Sequence, residues 1–236
     1  MSLPDALGAL LENNPRSARS LWDCLATDPT TGVTVIGADD RVLYLNERSR
    51  RDFGAAGVTG ALTGRRMDEV GLDADYVAER REHVAAVVRT GRPRLVRSIW
   101  MGWQVALWFA PLGGVPNDAG GVDGAAAVLC VGRRLPGIHT ARTIAGPGYE
   151  VIYADRIQLG PLDALTEREL EVTALVGAGL TIKEVARELH RSPKTVEKHR
   201  LSAGQKLGLS DRAQLIEIVH RAGLEPADAQ RSRIRL

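Results

Sequence analysis

The chain has 236 residues, 44% of them hydrophobic and 25% charged, with a formal net charge of +2. That length and balance describe a water-soluble protein with enough chain for two cores. No apolar run approaches the eighteen or so residues of a membrane span, and the N-terminus lacks the basic-then-apolar layout of a signal peptide, so a cytoplasmic protein with no membrane partner is expected.

Residues 1 to about 20 place Pro4, Pro15 and the Asn13-Asn14 pair around Leu7, Leu10 and Leu11, which reads as a short helix or loose tail. From Leu21 the texture changes. Gly32 to Gly37 is a β-branched run, Asp39-Asp40 is turn chemistry and Arg41 to Asn46 is a second strand, together a hairpin. Beyond a stretch punctuated by Gly54, Gly57, Gly60 and Gly64, Asp75 to Thr90 has helical spacing with Val77, Val84, Val87 and Val88 on or near one face, and Gly91 closes it. Strands resume at Arg94 to Ile99, at Trp103 to Pro111 and, past a Gly-rich loop, at Ala125 to Val131. Two strands, helices, then three strands predict an α+β domain on one five-stranded antiparallel sheet.

Within that domain Trp100, Trp103 and Trp108 lie close together, and parity along a regular strand pairs Trp100 with Trp108 against Trp103. They are the candidate lining of a pocket for a planar ligand, although core or dimer packing is the commoner use of tryptophan. The two cysteines, Cys24 and Cys130, form no metal-binding pair and read as small buried hydrophobes. No metal or cofactor is expected, beyond an unidentified small ligand in this domain.

Residues 135 to about 162 begin with Pro136-Gly137 and pass Gly146-Pro147-Gly148, as a linker would. Its apolar centre, Tyr149 to Ala154, suits a strand or a docking segment.

The signals then become dense. Thr166 with Glu169 and Thr181 with Glu184 have capping-box spacing, and Gly177 and Gly179 end the first of the two helices. After His190, Arg191 and Ser192, a longer helix starts at Pro193 and stops at Gly208. Val196, Ala203 and Leu207 form its apolar stripe, leaving Lys194, Glu197, Lys198 and Leu201 on other faces. A fourth helix, from Ser210 or Asp211 to Ala222, carries Leu215, Ile218, Val219 and Ala222. A short helix, tight turn and longer capped helix is the helix-turn-helix arrangement, whose second helix can enter a DNA major groove.

Charge agrees with that reading. Residues 1–134 hold sixteen Arg against sixteen Asp plus Glu and no Lys, whereas all four lysines, Lys183, Lys194, Lys198 and Lys206, fall within two dozen residues. A local basic patch on a near-neutral chain points to phosphate binding. No Ser-His-Asp order, phosphate loop or metal spacing appears among the five histidines, so a non-enzyme is expected.

Two resemblances follow from these residues. Gly-Val-Thr-Val-Ile at 32–36, Asp-Asp-Arg-Val-Leu-Tyr-Leu-Asn at 39–46, the helix ending Val-Arg-Thr-Gly-Arg-Pro and the strand with Trp-Phe-Ala-Pro-Leu make residues 21–134 resemble a PAS sensory domain. That implies a module holding a small ligand or protein partner between sheet and helices and often dimerising. Neither cysteine has a flavin-thiol context, and His83 falls about two positions from the iron-ligand position of haem-binding relatives, so neither cofactor is expected.

Leu165-Thr-Glu-Arg-Glu-Leu-Glu-Val172, Lys183-Glu-Val-Ala186, Leu189, Ser192, Thr195-Val196, His199, Lys206-Leu-Gly208, Ser210 and Arg212 resemble the LuxR-type DNA-binding domain of bacterial regulators over residues 163–224. The resemblance implies that Lys183, Lys194, Thr195 and Lys206 hold phosphates of double-stranded DNA, Glu197, Lys198 and Leu201 face base edges, His199 orients the helix, and Ser192 and Arg212 also belong to the DNA-binding site. It also implies a homodimer through the fourth helix, at Leu215, Ile218, Val219 and Ala222, and RNA polymerase as a partner. Leu201 stands where relatives often have a polar residue, which favours a thymine methyl. Ala203-Gly204 replaces a usually bulky pair, and a helical Gly costs about 1 kcal/mol against Ala. The expected organisation is an N-terminal tail at 1–20, a PAS-like domain at 21–134, a linker at 135–162, the helix-turn-helix domain at 163–224 and a C-terminal tail at 225–236. The leading function is a one-component transcriptional regulator; alternatives are a sigma-factor-like promoter recognition subunit and a PAS-based interaction module.

Overall fold

The computed structural model describes residues 15–113, 115–116, 122–123, 126–135, 144–146, 148–209 and 211–234. The tail before residue 15, most of the Gly-rich loop, Pro136-Gly137 and Ser210 lie outside them. Helix α1 (Pro15–Thr27) leads into strands β1 (Thr31–Gly37) and β2 (Val42–Leu45), then helix α2 (Glu47–Ala55). Asn46 ties these together: its buried side chain caps α2 by accepting from the Ser49 amide, accepts from the Val33 amide at 3.0 Å and donates to the Thr31 carbonyl at 2.8 Å. Helix α3 (Ala74–Thr90) follows, capped by Asp73 and stopped by left-handed Gly91 (φ 63°). Strands β3 (Arg94–Trp100), β4 (Trp103–Leu112) and β5 (Ala127–Arg134) complete the domain.

The sheet order is β2-β1-β5-β4-β3, all antiparallel. One correction comes at its edge. The sheet has six strands, because β6 (Glu150–Tyr153), inside the expected linker, pairs parallel with β3 from Arg94↔Glu150 to Arg97↔Tyr153. Helices α2 and α3 cover one face, where Ile36, Phe109 and Val128 pack fully buried with Val84 and Val87. Phe109 faces this side, and its neighbours in β4 alternate outward.

The other face receives the C-terminal domain: α4 (Glu167–Gly177), α5 (Ile182–Glu188), α6 (Pro193–Leu207) and α7 (Arg212–Ala222). Ile99 of β3 enters one apolar cluster with Leu159, Leu170, Val219 and Leu224. Gly223 ends α7 in the left-handed region (φ 55°), and a Cβ there would lie 2.4 Å from the Gln104 side chain of β4. Glycine is thus required twice over, for its backbone and for its lack of a side chain. The expected C-terminal tail is ordered structure instead: a 3₁₀ turn at Pro226–Gln230 leads to β8 (Ser232–Arg233), parallel to β7 (Arg156–Ile157).

At the centre of this contact Arg97 and Asp228, each 1% exposed, meet through bonds of 2.7 and 2.9 Å. Arg97 also donates to the Gly223 carbonyl, and Arg231 braces Asp228 at 2.9 Å. Removing one partner leaves the other charged and dry, so Arg97→Ala or Asp228→Ala should each cost about 3–5 kcal/mol. The double change Arg97→Met with Asp228→Leu should be milder than either. Urea unfolding of the three variants checks this; a double variant more unstable than either single would refute it.

Candidate nucleic-acid interface

Each helix of the C-terminal domain begins on a cap that its sequence specifies. Thr166 and Glu169, and Thr181 and Glu184, form reciprocal capping boxes. Ser192 caps α6 by accepting from the Thr195 amide at 3.1 Å, with Pro193 in the first turn and left-handed Gly208 (φ 66°) at the end. The four-residue turn between α5 and α6, Leu189 to Ser192, bends at His190, whose φ of 51° is left-handed although it is not glycine. The Arg191 amide then donates to the Ala186 carbonyl at 2.8 Å, fastening the turn to α5.

Helix α6 is seated by its back. Val196 and Ala203 are fully buried, Val196 among Val172, Val176, Val185 and Leu215. Its outer face is an exposed row of Lys194, Lys198, Leu201 and Gln205, at offsets of four, three and four. Leu201 is half exposed, and Lys194 and Lys198 make no ion pair among the described residues. Lys183 is exposed in the first turn of α5. Two cations and an apolar side chain on one open helix face match what a major groove offers: phosphates at the walls, base edges and thymine methyls at the floor.

Several expected DNA contacts sit elsewhere. Glu197 is half-buried and bound by Arg200 through 2.6 and 3.1 Å bonds, which hold its carboxyl below the usual range. Lys206 donates to Glu169 at 2.7 Å, and Arg212 donates to the Leu180 carbonyl at 3.2 Å. Thr195 shares its hydroxyl with Ser192 at 2.8 Å, and His199 is half-buried. The fourth-helix residues are a correction. Leu215, Val219 and Ala222 are buried within this chain and Ile218 is half-buried, because the apolar side of α7 packs against α4 and the sheet. They are not an open dimer face in this arrangement.

Glu169 does more than its capping box indicates. Its carboxylate accepts from the Thr166 amide at 2.8 Å, from the Ser202 hydroxyl at 2.7 Å and from Lys206 at 2.7 Å, joining the start of α4 to the second half of α6. Residues 33 and 37 positions apart carry no local signal of this. Gln205, by contrast, was findable as the continuation of the Lys194, Lys198 and Leu201 spacing.

The tryptophans need a second correction. Parity counted from Trp100 to Trp108 runs through the Met101-Gly102 turn, both of whose residues have positive φ, as a two-residue hairpin turn demands. In the hairpin, Trp100 pairs with Trp103, and Trp108 pairs with Leu95 on the opposite face. Only Trp100 lines the cavity between sheet and α3. Trp103 lies under Arg134 and Arg221, each 5.1 Å from the ring, and Trp108 packs with Leu95, Ala106 and Leu135. Cys130 is buried as expected, whereas Cys24 is exposed.

Two outcomes test the support of α6. Burial would raise the Glu169 carboxyl, but the Lys206, Thr166 and Ser202 bonds outweigh it and hold it at about 2. A depressed carboxyl stabilises fully above its unfolded value and loses that stabilisation as pH falls through the folded value. Glu169→Gln should therefore remove on the order of 2 kcal/mol of stability at pH 7 and flatten the loss between about pH 5 and 2. Denaturation curves across that range would show no such flattening if the Glu169 bonds were unimportant. Separately, a Cβ at Gly204 would meet only the Leu209 carbonyl, at an ordinary 3.7 Å. Gly204→Ala should stabilise by about 1 kcal/mol in the same measurement.

Comparison with known proteins adds to this geometry. Residues 163–219 match the family model for bacterial regulatory proteins, luxR family. The transcriptional regulatory protein UhpA of Salmonella typhimurium is 37% identical over 87 residues, which are 37% of this chain and 42% of that protein. The transcriptional regulatory protein LiaR of Bacillus subtilis is 43% identical over 61 residues, 26% of this chain and 29% of that one. The chain thus spans less than half the length of these relatives. Among solved structures, a Vibrio cholera VqmA–ligand–DNA complex aligns over 90% of this chain and 92% of its own, at 20% identity and a TM-score of 0.47. The PAS domain of Bordetella pertussis BvgS aligns over 55% and 92%, at 18% identity and a TM-score of 0.36. With its signature residues in place on four capped helices, the segment 163–219 of this chain is a luxR-family domain of the bacterial regulatory proteins.

Proposed function

We propose that the protein is a sequence-specific DNA-binding transcriptional regulator in which the PAS-like domain senses a small ligand or protein partner and controls the helix-turn-helix. The observation that carries this is the open row of Lys194, Lys198, Leu201 and Gln205 on a helix buried along its back. Lys194 and Lys183 are placed for phosphates, Lys198, Leu201 and Gln205 for base edges. Ser192, Thr195 and His199 set the helix in position, and Lys206 holds it through Glu169. Glu197 reads bases only by leaving Arg200. A homodimer would present two copies of α6 to a two-fold site; it needs a face other than buried Leu215, Val219 and Ala222, or release of α7 from the sheet. RNA polymerase is the implied partner in transcription and the cytoplasm the implied location. No helix among the described residues is long and apolar enough to cross a membrane.

The assignment of roles is tested by selecting bound sequences from random duplexes and measuring affinity against salt. Lys198→Ala should change the preferred base at one position of the site. Lys194→Ala should weaken every sequence alike and reduce the salt dependence by about one phosphate contact. An equal, uniform loss from both would sink the division into reading and anchoring residues.

A further inference from the structure

The cavity between the sheet and α3 contains an electrostatic imbalance. Arg80 is 8% exposed, and its Nε and Nη1 have no hydrogen-bond partner. One helical turn on, His83 is 6% exposed with neither ring nitrogen hydrogen-bonded, its Nε2 lying 3.9 Å from the Glu79 carboxylate. These two residues account for four of the eight buried side-chain nitrogen and oxygen atoms left without a partner among the described residues, which marks a local need and not a general looseness.

The neighbouring acids do not answer it. Asp52 accepts from Arg48 at 2.8 Å and lies 3.6 Å from Arg134. Glu79 is turned to the backbone, accepting from the Asp155 and Arg156 amides at 2.7 and 3.1 Å. The rings of Phe109 and Tyr76 stand 5.3 and 5.6 Å from the Arg80 guanidinium and favour the cation, but they give its N–H groups no lone pair in their plane. Cys130 on the cavity wall supplies no negative charge either, since burial pushes its thiol up to about 12.

Arg80 borders a cavity of about 80 Å³, several times the room one water needs, and a narrower cleft of about 10 Å³ runs on to His83. Arg48, Arg80, Arg133 and Arg134 line the cavity against the single acid Asp52, so its field attracts an anion. The remaining wall is apolar and planar: Tyr76 stacked on Trp100 at 4.7 Å, with Phe53, Val105 and Leu107.

We propose that this cavity binds a small monocarboxylic acid with a compact planar body, its carboxylate accepting two hydrogen bonds from Arg80 and its body resting on the Tyr76 and Trp100 wall. The planar guanidinium fork suits a carboxylate held at two points, and the bond is strong because it is charge-assisted and dry. The inference rests on the reading of the PAS-like domain as the sensory module and gives that module's signal a chemical class.

The test uses the full chain with sodium benzoate and phenylacetate, and with benzamide and phenylacetamide as neutral counterparts, by calorimetry and thermal melting. The acids should bind, and the amides at least about tenfold more weakly. Arg80→Lys should weaken the acids yet keep them ahead of the amides. Arg80→Met should abolish the preference and raise the melting temperature of the ligand-free protein, because it removes an uncompensated buried cation. Equal binding of acids and amides, no binding of either acid at about 10 mM, or a ligand-free Arg80→Met protein that melts lower or fails to fold would each overturn the assignment. Failure of the sensory reading looks different. Acids that bind through Arg80 without altering DNA affinity would leave this site standing and remove its regulatory role; amides alone altering DNA affinity would do the reverse.

Discussion

The Arg97–Asp228 pair sets the terms for the rest of the molecule. Two charges with 1% exposure cannot be hydrated, so each must be matched by the other and by the remaining polar atoms nearby. The match uses the Gly223 carbonyl on one side and Arg231 on the other, which leaves the chain from Gly223 to Arg231 one position on the sheet. That position carries α7 with it. Leu224 and Ala222 then complete an apolar cluster with Ile99 and Leu159, and the end of the chain pairs with β7.

The sheet is thereby a wall shared by two sites. Along β3, Ser98 and Trp100 face the cavity, while Arg97 and Ile99 face the helical domain. In β4, Val105 and Leu107 line the cavity, and Gln104, the residue before Val105, fills the space that Gly223 leaves open. Alternation of side chains on a strand puts ligand contacts and domain contacts on successive residues. A shift of either strand is felt on both faces, because packed interiors have few voids to absorb it.

The helix-turn-helix depends on local and long-range supports in different ways. Its caps are short-range and work in any tertiary setting, since each satisfies amides within the first turn of its own helix. Its entry angle is long-range. Glu169 reaches from the cap of α4 to Ser202 and Lys206, so the second half of α6 is held by a residue that also starts another helix. The exposed row from Lys194 to Gln205 is open because nothing else of the described chain covers it, and its direction is set by what lies behind it.

Much of this was legible in the residues alone. The capping boxes, Pro193, Gly208 and the Val196–Ala203 stripe determine a helix-turn-helix because each acts within a few residues, and the β-branched runs with their turn chemistry determine the individual strands for the same reason. The spread of lysines located the basic face. What only the tertiary structure decided are matters of distance along the chain. The sixth strand, the burial of Leu215, Val219 and Ala222 inside the chain, the occupation of Lys206 by Glu169 and the Arg97–Asp228 pair all join segments whose separation exceeds any local period. The tryptophans failed for a related reason: parity holds within a strand, and the turn at Met101-Gly102 restarts it. The unpartnered state of Arg80 likewise belongs to the fold, since a basic residue on a helix reads as solvated until a sheet is laid against it.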